Sequence, residues 1–231
     1  MGIDDEASGA SRVPEEVGKR EAGATGGRSF RWLARNVRFI IEKRMYTPRY
    51  WVFLYRFLRF KVLHPRVRTN GFFFLPRRYE VVLRKGGRMS IGRWVWIGRN
   101  NAIRCHEGEL RIGDHTIFGS DNTINCYMGI YIGPNCLFAD SVYVVDFDHN
   151  YWDPVIPIRS QGISKDVIRL EGDTWVGAKV CILRGVTVGR GSVIGALSLV
   201  NKDVPPYAVV GGVPAQVIAW RPRPYVEEES E

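Results

Sequence analysis

The stretch LEGDTWVGAKVCILRGVTVGRGSVIGALSLV, residues 170–200, decides the fold: Leu170, Val176, Ile182, Val188, Ile194 and Val200 stand six apart. A helix repeats every 3.6 residues and a strand every two, so a beat of six belongs to neither alone. It fits a solenoid with three short strands per turn, each sending one aliphatic side chain into a narrow triangular core. The same beat runs upstream through Ile91, Ile97 and Ile103, then Ile112, Phe118 and Ile124, then Ile132, Phe138 and Val144. The next residue is often glycine (Gly92, Gly98, Gly113, Gly119, Gly133, Gly177, Gly189, Gly195), read as a small residue where the chain turns a corner. An ordinary β-sandwich would not hold phase over thirty residues. The short phase slips after Ile103 and Ile124 are extra residues at corners. The long slip between Val144 and Leu170 is an external loop, expected over 150–167.

That loop opens with VVDFDHNYWDPVIPIR, residues 144–159, and His149 stands at its root. Rigid coils on both sides would hold a base in place, and an imidazole ionises near neutrality, as a general base requires. Asp148, Asp146 or Asp140 could orient it or bind substrate; each could equally be a turn-forming carboxylate. Tyr151, Trp152 and Arg159 would shape an acceptor pocket, the aromatics stacking on a sugar ring or packing on a neighbouring subunit. Asn122 and Asn125 either hydrogen-bond a sugar or form an inward ladder at solenoid corners.

The hexad run from Leu170 through NKDVPPYAVVGGVPAQVIAW resembles the C-terminal signature of hexapeptide-repeat acyltransferases. IGPNCLFADSVYVVDFDHNY resembles the coil that leads into their catalytic histidine. Residues 88–220 are similar to the sugar O-acetyltransferase branch, related to galactoside and maltose acetyltransferases. The resemblance implies an all-β, left-handed parallel β-helix, usually a homotrimer. It also implies acetyl-CoA or another acyl-CoA as co-substrate, lying in the groove between neighbouring subunits. On this basis His149, with Asp148 beside it, is catalytic. Trp175 lies near the cofactor, and the backbone of Gly177, Ala178, Gly195 and Ala196 lines the pantetheine path. Asn201 and Lys202 lie near the adenosine. Gln216 stands where relatives often carry a basic residue, so Arg221 or Arg223 takes over the phosphate contact. Asn125, Asp140, Tyr151 and Trp152 are the candidate acceptor residues.

The formal charge of +9 is concentrated upstream: residues 28–69 hold twelve Arg and Lys against one acid, Glu42. Residues 1–28 are expected to be a disordered tail, 29–70 basic aromatic amphipathic helices, 71–220 the β-helix and 221–231 a tail. Leu33, Val37, Ile40, Ile41 and Met45 mark a first amphipathic helix. Thr47 and Pro48 offer an N-cap and first helical position for a second, with Tyr50, Phe53, Leu54, Phe57 and Leu58 on its apolar side. These helices cap the open end of the solenoid, or cap it and also touch an anionic membrane through residues 29–63.

No nucleic-acid-binding motif accompanies the basic stretch. Four scattered cysteines without metal spacing and no visible signal segment point to reduced thiols in a cytoplasmic protein. The solenoid also hosts zinc carbonic anhydrases, but His64, His106 and His115 lack the close pairing that a metal site beside His149 needs, so no metal is expected. The sequence thus points to an O-acyltransferase acting on a sugar hydroxyl of a polysaccharide or glycolipid precursor. The alternative is a non-catalytic trimeric scaffold that docks partners through its basic helices.

Overall fold

A computed structural model describes residues 47–222, which lie almost wholly within the compact unit that begins at Pro48. The expected N-terminal tail, the first amphipathic helix, Arg223 and nearly all of the C-terminal tail lie outside these residues. The hexad beat is realised as three parallel sheets that form the faces of a triangular prism. The first face stacks Arg68–Thr69, Arg88–Ile91, Glu109–Ile112, Gly129–Ile132, Ile168–Leu170 and Thr187–Val188. The second stacks Trp96–Ile97, Ile117–Phe118, Leu137–Phe138, Trp175–Val176, Val193–Ile194 and Ala208–Gly211. The third stacks Tyr79–Leu83, Asn101–Cys105, Thr123–Cys126, Tyr143–Val145, Cys181–Ile182 and Leu199–Val200. This is the left-handed parallel β-helix expected from the sequence, beginning slightly earlier than residue 71.

Each hexad aliphatic sits directly above its counterpart one coil down. Ile91, Ile112, Ile132, Leu170 and Val188 form one such column, and Ile103, Ile124, Val144, Ile182 and Val200 another. All of them are buried. The phase slips all fall at one edge of the prism, where the third face passes to the first.

The glycines have a different role from the one expected. At the other two edges the residue that turns the chain lies three after the aliphatic and adopts a positive φ, as in His115, Asn135 and Asp173, or Asn100, Asp121 and Ser141. The glycine after the aliphatic is instead a point of close approach between coils. A Cβ on Gly98 would lie 2.1 Å from the Gly119 carbonyl oxygen, well inside van der Waals contact.

The buried Asn101 side chain donates to the Gly98 and Gly119 carbonyls and accepts the Asn122 N–H, and Asn122 accepts the Val142 N–H. Asn122 therefore belongs to a corner ladder, satisfying backbone groups that three-strand coils leave unpaired.

The helix Pro48–Leu63 starts at the predicted proline and closes the lower end of the prism. Phe53 meets Phe74 and Trp96, Phe57 meets Phe73, and Phe60 meets Phe73 and Tyr79, with ring centroids 5.2–6.1 Å apart. Leu54 and Leu58, expected on this face, are exposed. The inward stripe follows Tyr50, Phe53, Phe57 and Phe60, and the leucines lie about 100° around the helix from Phe53 and Phe57. At the upper end Gln216–Trp220 runs antiparallel to Ala208–Gly211 and pairs with its edge.

Candidate active site

Between Val145 and Ile168 the chain leaves the prism as a β-hairpin, with Phe147–His149 antiparallel to Ile163–Lys165. The departure begins a few residues before position 150, so His149 is part of an arm, paired with Ile163. The neck is closed by Asp146. Its side chain is fully buried and accepts the N–H groups of Tyr127, Met128 and Gly129 at 2.8, 2.8 and 2.7 Å. Its carbonyl accepts the N–H of Asp166, across the base of the hairpin. Aromatic packing extends this anchor: Phe147 meets Tyr127 edge-on, Tyr127 stacks on His106 at 4.5 Å, and Lys165 pairs with Glu107.

Beyond the neck, Asp148 and Arg184 form an ion pair of 2.6 Å. Ser164 Oγ donates to Asn150 Oδ1, and Asn150 Nδ2 donates to the Gln161 carbonyl. Gln161 Nε2 in turn donates to the carbonyls of Asp153 and Ile156, which holds the tip. Asp148, His149, Asn150, Tyr151, Trp152, Ser164 and Arg184 line a cavity of about 410 Å³. Tyr151 and Trp152 are largely exposed, with ring centroids 4.4 Å apart. The imidazole is exposed, and Phe147 is its aromatic neighbour at 6.1 Å.

The three candidate acids separate cleanly. Asp146 is a structural anchor, Asp148 is engaged by Arg184, and Asp140 lies at another edge, where its Oδ1 accepts the Ser120 N–H. Asn125 lies on the third face beside Val145, one residue from Asp146, with a buried Oδ1 that has no hydrogen-bond partner. Cys181, on the coil above, keeps its proton: burial and the Asp148 carboxylate both push its ionisation up, so it offers no thiolate nucleophile. Among the described residues no group of three His, Cys, Asp or Glu converges to hold a metal. Arg184, Asn150 and Ser164 were not singled out from sequence. Counting hexads shows that the corner after Ile182 repeats the edge from which the hairpin leaves, a signal that could have found Arg184.

Residues matched to the cofactor path lie elsewhere on the prism. Trp175 is half-exposed on the second face. Gly177, Ala178, Gly195 and Ala196 stack coil on coil at the edge between the second and third faces, a strip almost without side chains. Asn201 and Lys202 are exposed at the hairpin's own edge, two coils above it. Arg221 donates to the Gly191 carbonyl and lies 3.5 Å from Asp173, tying down the upper end of the chain.

The family model described as "Hexapeptide repeat of succinyl-transferase" matches residues 109–144 and 167–196, leaving out the hairpin between them. A protein of Escherichia coli named "Putative lipopolysaccharide biosynthesis O-acetyl transferase" is 33% identical over 155 residues, which cover 61% of this chain and 76% of that one. The chain belongs to the hexapeptide-repeat acetyltransferase family. This member is also 44% identical over 187 residues to a "Probable acetyltransferase" of Mycobacterium tuberculosis, covering 80% of its own length and 62% of that relative. It therefore spans less than two thirds of the mycobacterial protein. A solved hexapeptide-repeat acetyltransferase of Vibrio cholerae, complexed with acetyl-CoA, is 25% identical with a TM-score of 0.49 over 70% of this chain and 75% of that one.

Proposed function

We propose that this hexapeptide-repeat protein transfers an acyl group, acetyl in the first instance, from coenzyme A to a hydroxyl of a saccharide acceptor, with His149 as the base. The observation that carries the proposal is the hairpin. It is the long interruption of the hexad lattice, and it presents an exposed imidazole in a cavity of polar and aromatic side chains suited to a sugar. The acceptor hydroxyl gives its proton to His149 as its oxygen attacks the thioester carbonyl. The C–S bond then breaks, and the thiolate of coenzyme A leaves and takes up the proton. Arg184 pairs with the Asp148 carboxylate at the wall of the same cavity, and Asn150, fixed by Ser164 and Gln161, offers polar contacts to the acceptor. The O-acetyltransferase name of the E. coli relative, in lipopolysaccharide biosynthesis, supports a saccharide acceptor.

His149 and the strip of small residues stand at different edges of one prism. A groove that contains both is completed by placing the hairpin of one subunit against the strip of the next, which is the reason for proposing a homotrimer. Calorimetry tests the groove: coenzyme A binds the wild-type protein, and Trp175→Ala weakens binding by about tenfold, the loss of one aromatic contact of about 1.4 kcal/mol. No binding to the wild-type protein would remove the co-substrate and with it the proposal.

We also propose that the helix Pro48–Leu63 rests on an anionic membrane surface, bringing the enzyme to a lipid-linked acceptor. Its outer side exposes Trp51, Tyr55, Leu58 and Val62, with Arg59 and Lys61 alongside and no acid in the helix. Among the described residues no helix is long and apolar enough to cross a membrane. The protein should co-float with vesicles containing phosphatidylglycerol, and Trp51→Asp with Leu58→Asp should release it; a wild-type protein that stays at the bottom of the gradient refutes the contact.

A further inference from the structure

The first face of the prism carries an outward column that acyl transfer, as derived above, does not use. Arg68, Ser90, Arg111, Tyr131 and Arg169 occupy one register position on five successive coils. With strands about 4.8 Å apart, the column is roughly 19 Å long. The Arg111 and Arg169 guanidinium carbons lie 5.5 and 4.6 Å from the Tyr131 ring centroid, one reaching from the coil below and one from the coil above. A guanidinium stacked on an aromatic ring keeps its N–H edge free for a forked contact to an oxyanion, and it is ordered before any ligand arrives.

The charges along the column are unbalanced. Arg111 is neutralised by Glu109 through contacts of 2.9 Å, with Arg88 farther off at 3.9 Å. Arg68 acts on Glu109 only beyond ion-pair distance, and no described carboxylate lies within 4.0 Å of Arg68 or Arg169. Two shallow depressions of about 620 and 570 Å³ lie along this face and share Asn70, Ser90 and Arg111. The upper end of the column is Arg169, in the strand the chain enters on leaving the hairpin arm that pairs with His149.

We infer that this face binds an acidic saccharide, a glycan bearing carboxylate or phosphate groups, laid along the solenoid axis with one end at the His149 hairpin. The inference rests on the proposed acyl transfer to a saccharide and names the acceptor class. Single-stranded nucleic acid fits the face less well. It needs open aromatic faces for its bases, and the Tyr131 ring already carries guanidinium groups from the coils below and above.

The test is calorimetric titration of the full chain with a decameric oligogalacturonate, a phosphorylated mannan oligomer of similar length and a neutral maltodecaose. The wild-type protein is expected to bind at least one acidic oligomer, with affinity falling as salt rises, and to ignore the neutral one. The two acidic oligomers separate carboxylate from phosphate. The pair Arg68→Ala with Arg169→Ala should weaken acidic binding at least tenfold. Arg77→Ala with Arg78→Ala, which removes the same charge elsewhere, should change it less than threefold.

Equal binding by both pairs, binding of the neutral oligomer, or no acidic binding at all overturns the inference. So does a change of oligomeric state by light scattering in the Arg68/Arg169 pair, which would assign these arginines to a subunit contact. Loss of vesicle flotation in that pair without loss of glycan binding would assign them to lipid instead. Coenzyme A binding, measured in parallel, separates the two readings: glycan binding without it leaves a saccharide-binding solenoid and refutes the transferase.

Discussion

Replacing His149 with alanine is expected to lower the rate of acyl transfer by about 10²–10⁴-fold, the usual contribution of a positioned general base, while coenzyme A still binds. The separation follows from the geometry. The imidazole is on the hairpin, and the strip that would take pantetheine lies at another edge of the same prism. His149→Ala also removes little packing, because the ring is exposed. The melting temperature should stay within about 2 °C of the wild type, as for surface substitutions worth under about 0.5 kcal/mol. The loss should appear in kcat in single-turnover thiol release, with the KM for the acyl donor little changed. Activity within threefold of wild type would mean that another group accepts the proton. None of the three candidate acids stands ready: Asp146 is committed to three backbone N–H groups, Asp148 to Arg184, and Asp140 lies at another edge with the Ser120 N–H.

The hexad was legible because it is a geometric rule. A prism admits one inward side chain per strand, and the in-phase aliphatics from Ile91 to Val200 are all buried on the same three columns. His149 was legible for the complementary reason, since it stands where the rule is broken. Features that depend on packing between distant segments were less so. Leu54 and Leu58 belong to a helix apolar on nearly every side, and only the position of Phe73 and Phe74 packed against it selects Phe53, Phe57 and Phe60 as the buried face. The glycines stand near the corners without turning them, because close approach between coils, which requires them, is invisible in a single coil. The Asp148–Arg184 pair joins residues 36 apart in sequence, and only stacking of corners brings them together. Asp140, Asp146 and Asp148 look alike in sequence; burial and edge position distinguish them.

Asp146 carries the largest expected effect on the scaffold. Its carboxylate is fully enclosed, and its two oxygens accept three N–H groups from the corner of the coil below. Hydrogen bonds to a charged group are worth about 1.5–3 kcal/mol each, and a buried N–H left without a partner costs about 1–3 kcal/mol. Asp146→Ala strands all three donors, and since neighbouring losses do not add, the expected destabilisation is about 3–5 kcal/mol. For a domain of this size that is a fall of roughly 6–20 °C in melting temperature.

Asp146→Asn keeps the shape but turns one oxygen into an N–H donor facing another N–H, so it should lose about half as much. The same substitutions act on catalysis through position. Asp146 bonds the neck of the hairpin to the coil below, and its carbonyl closes the neck to Asp166. Releasing it frees the arm that presents His149, and a displacement of about 1 Å can cost 10²-fold in rate. Assayed well below its melting temperature, Asp146→Asn should therefore show reduced kcat, intact coenzyme A binding and faster proteolytic cleavage within residues 150–162. A variant that melts within 1 °C of wild type would show that these three hydrogen bonds do not hold the hairpin. A variant that melts early yet turns over normally when folded would show that the imidazole is positioned by the arm pairing with Ile163 and by Phe147 alone.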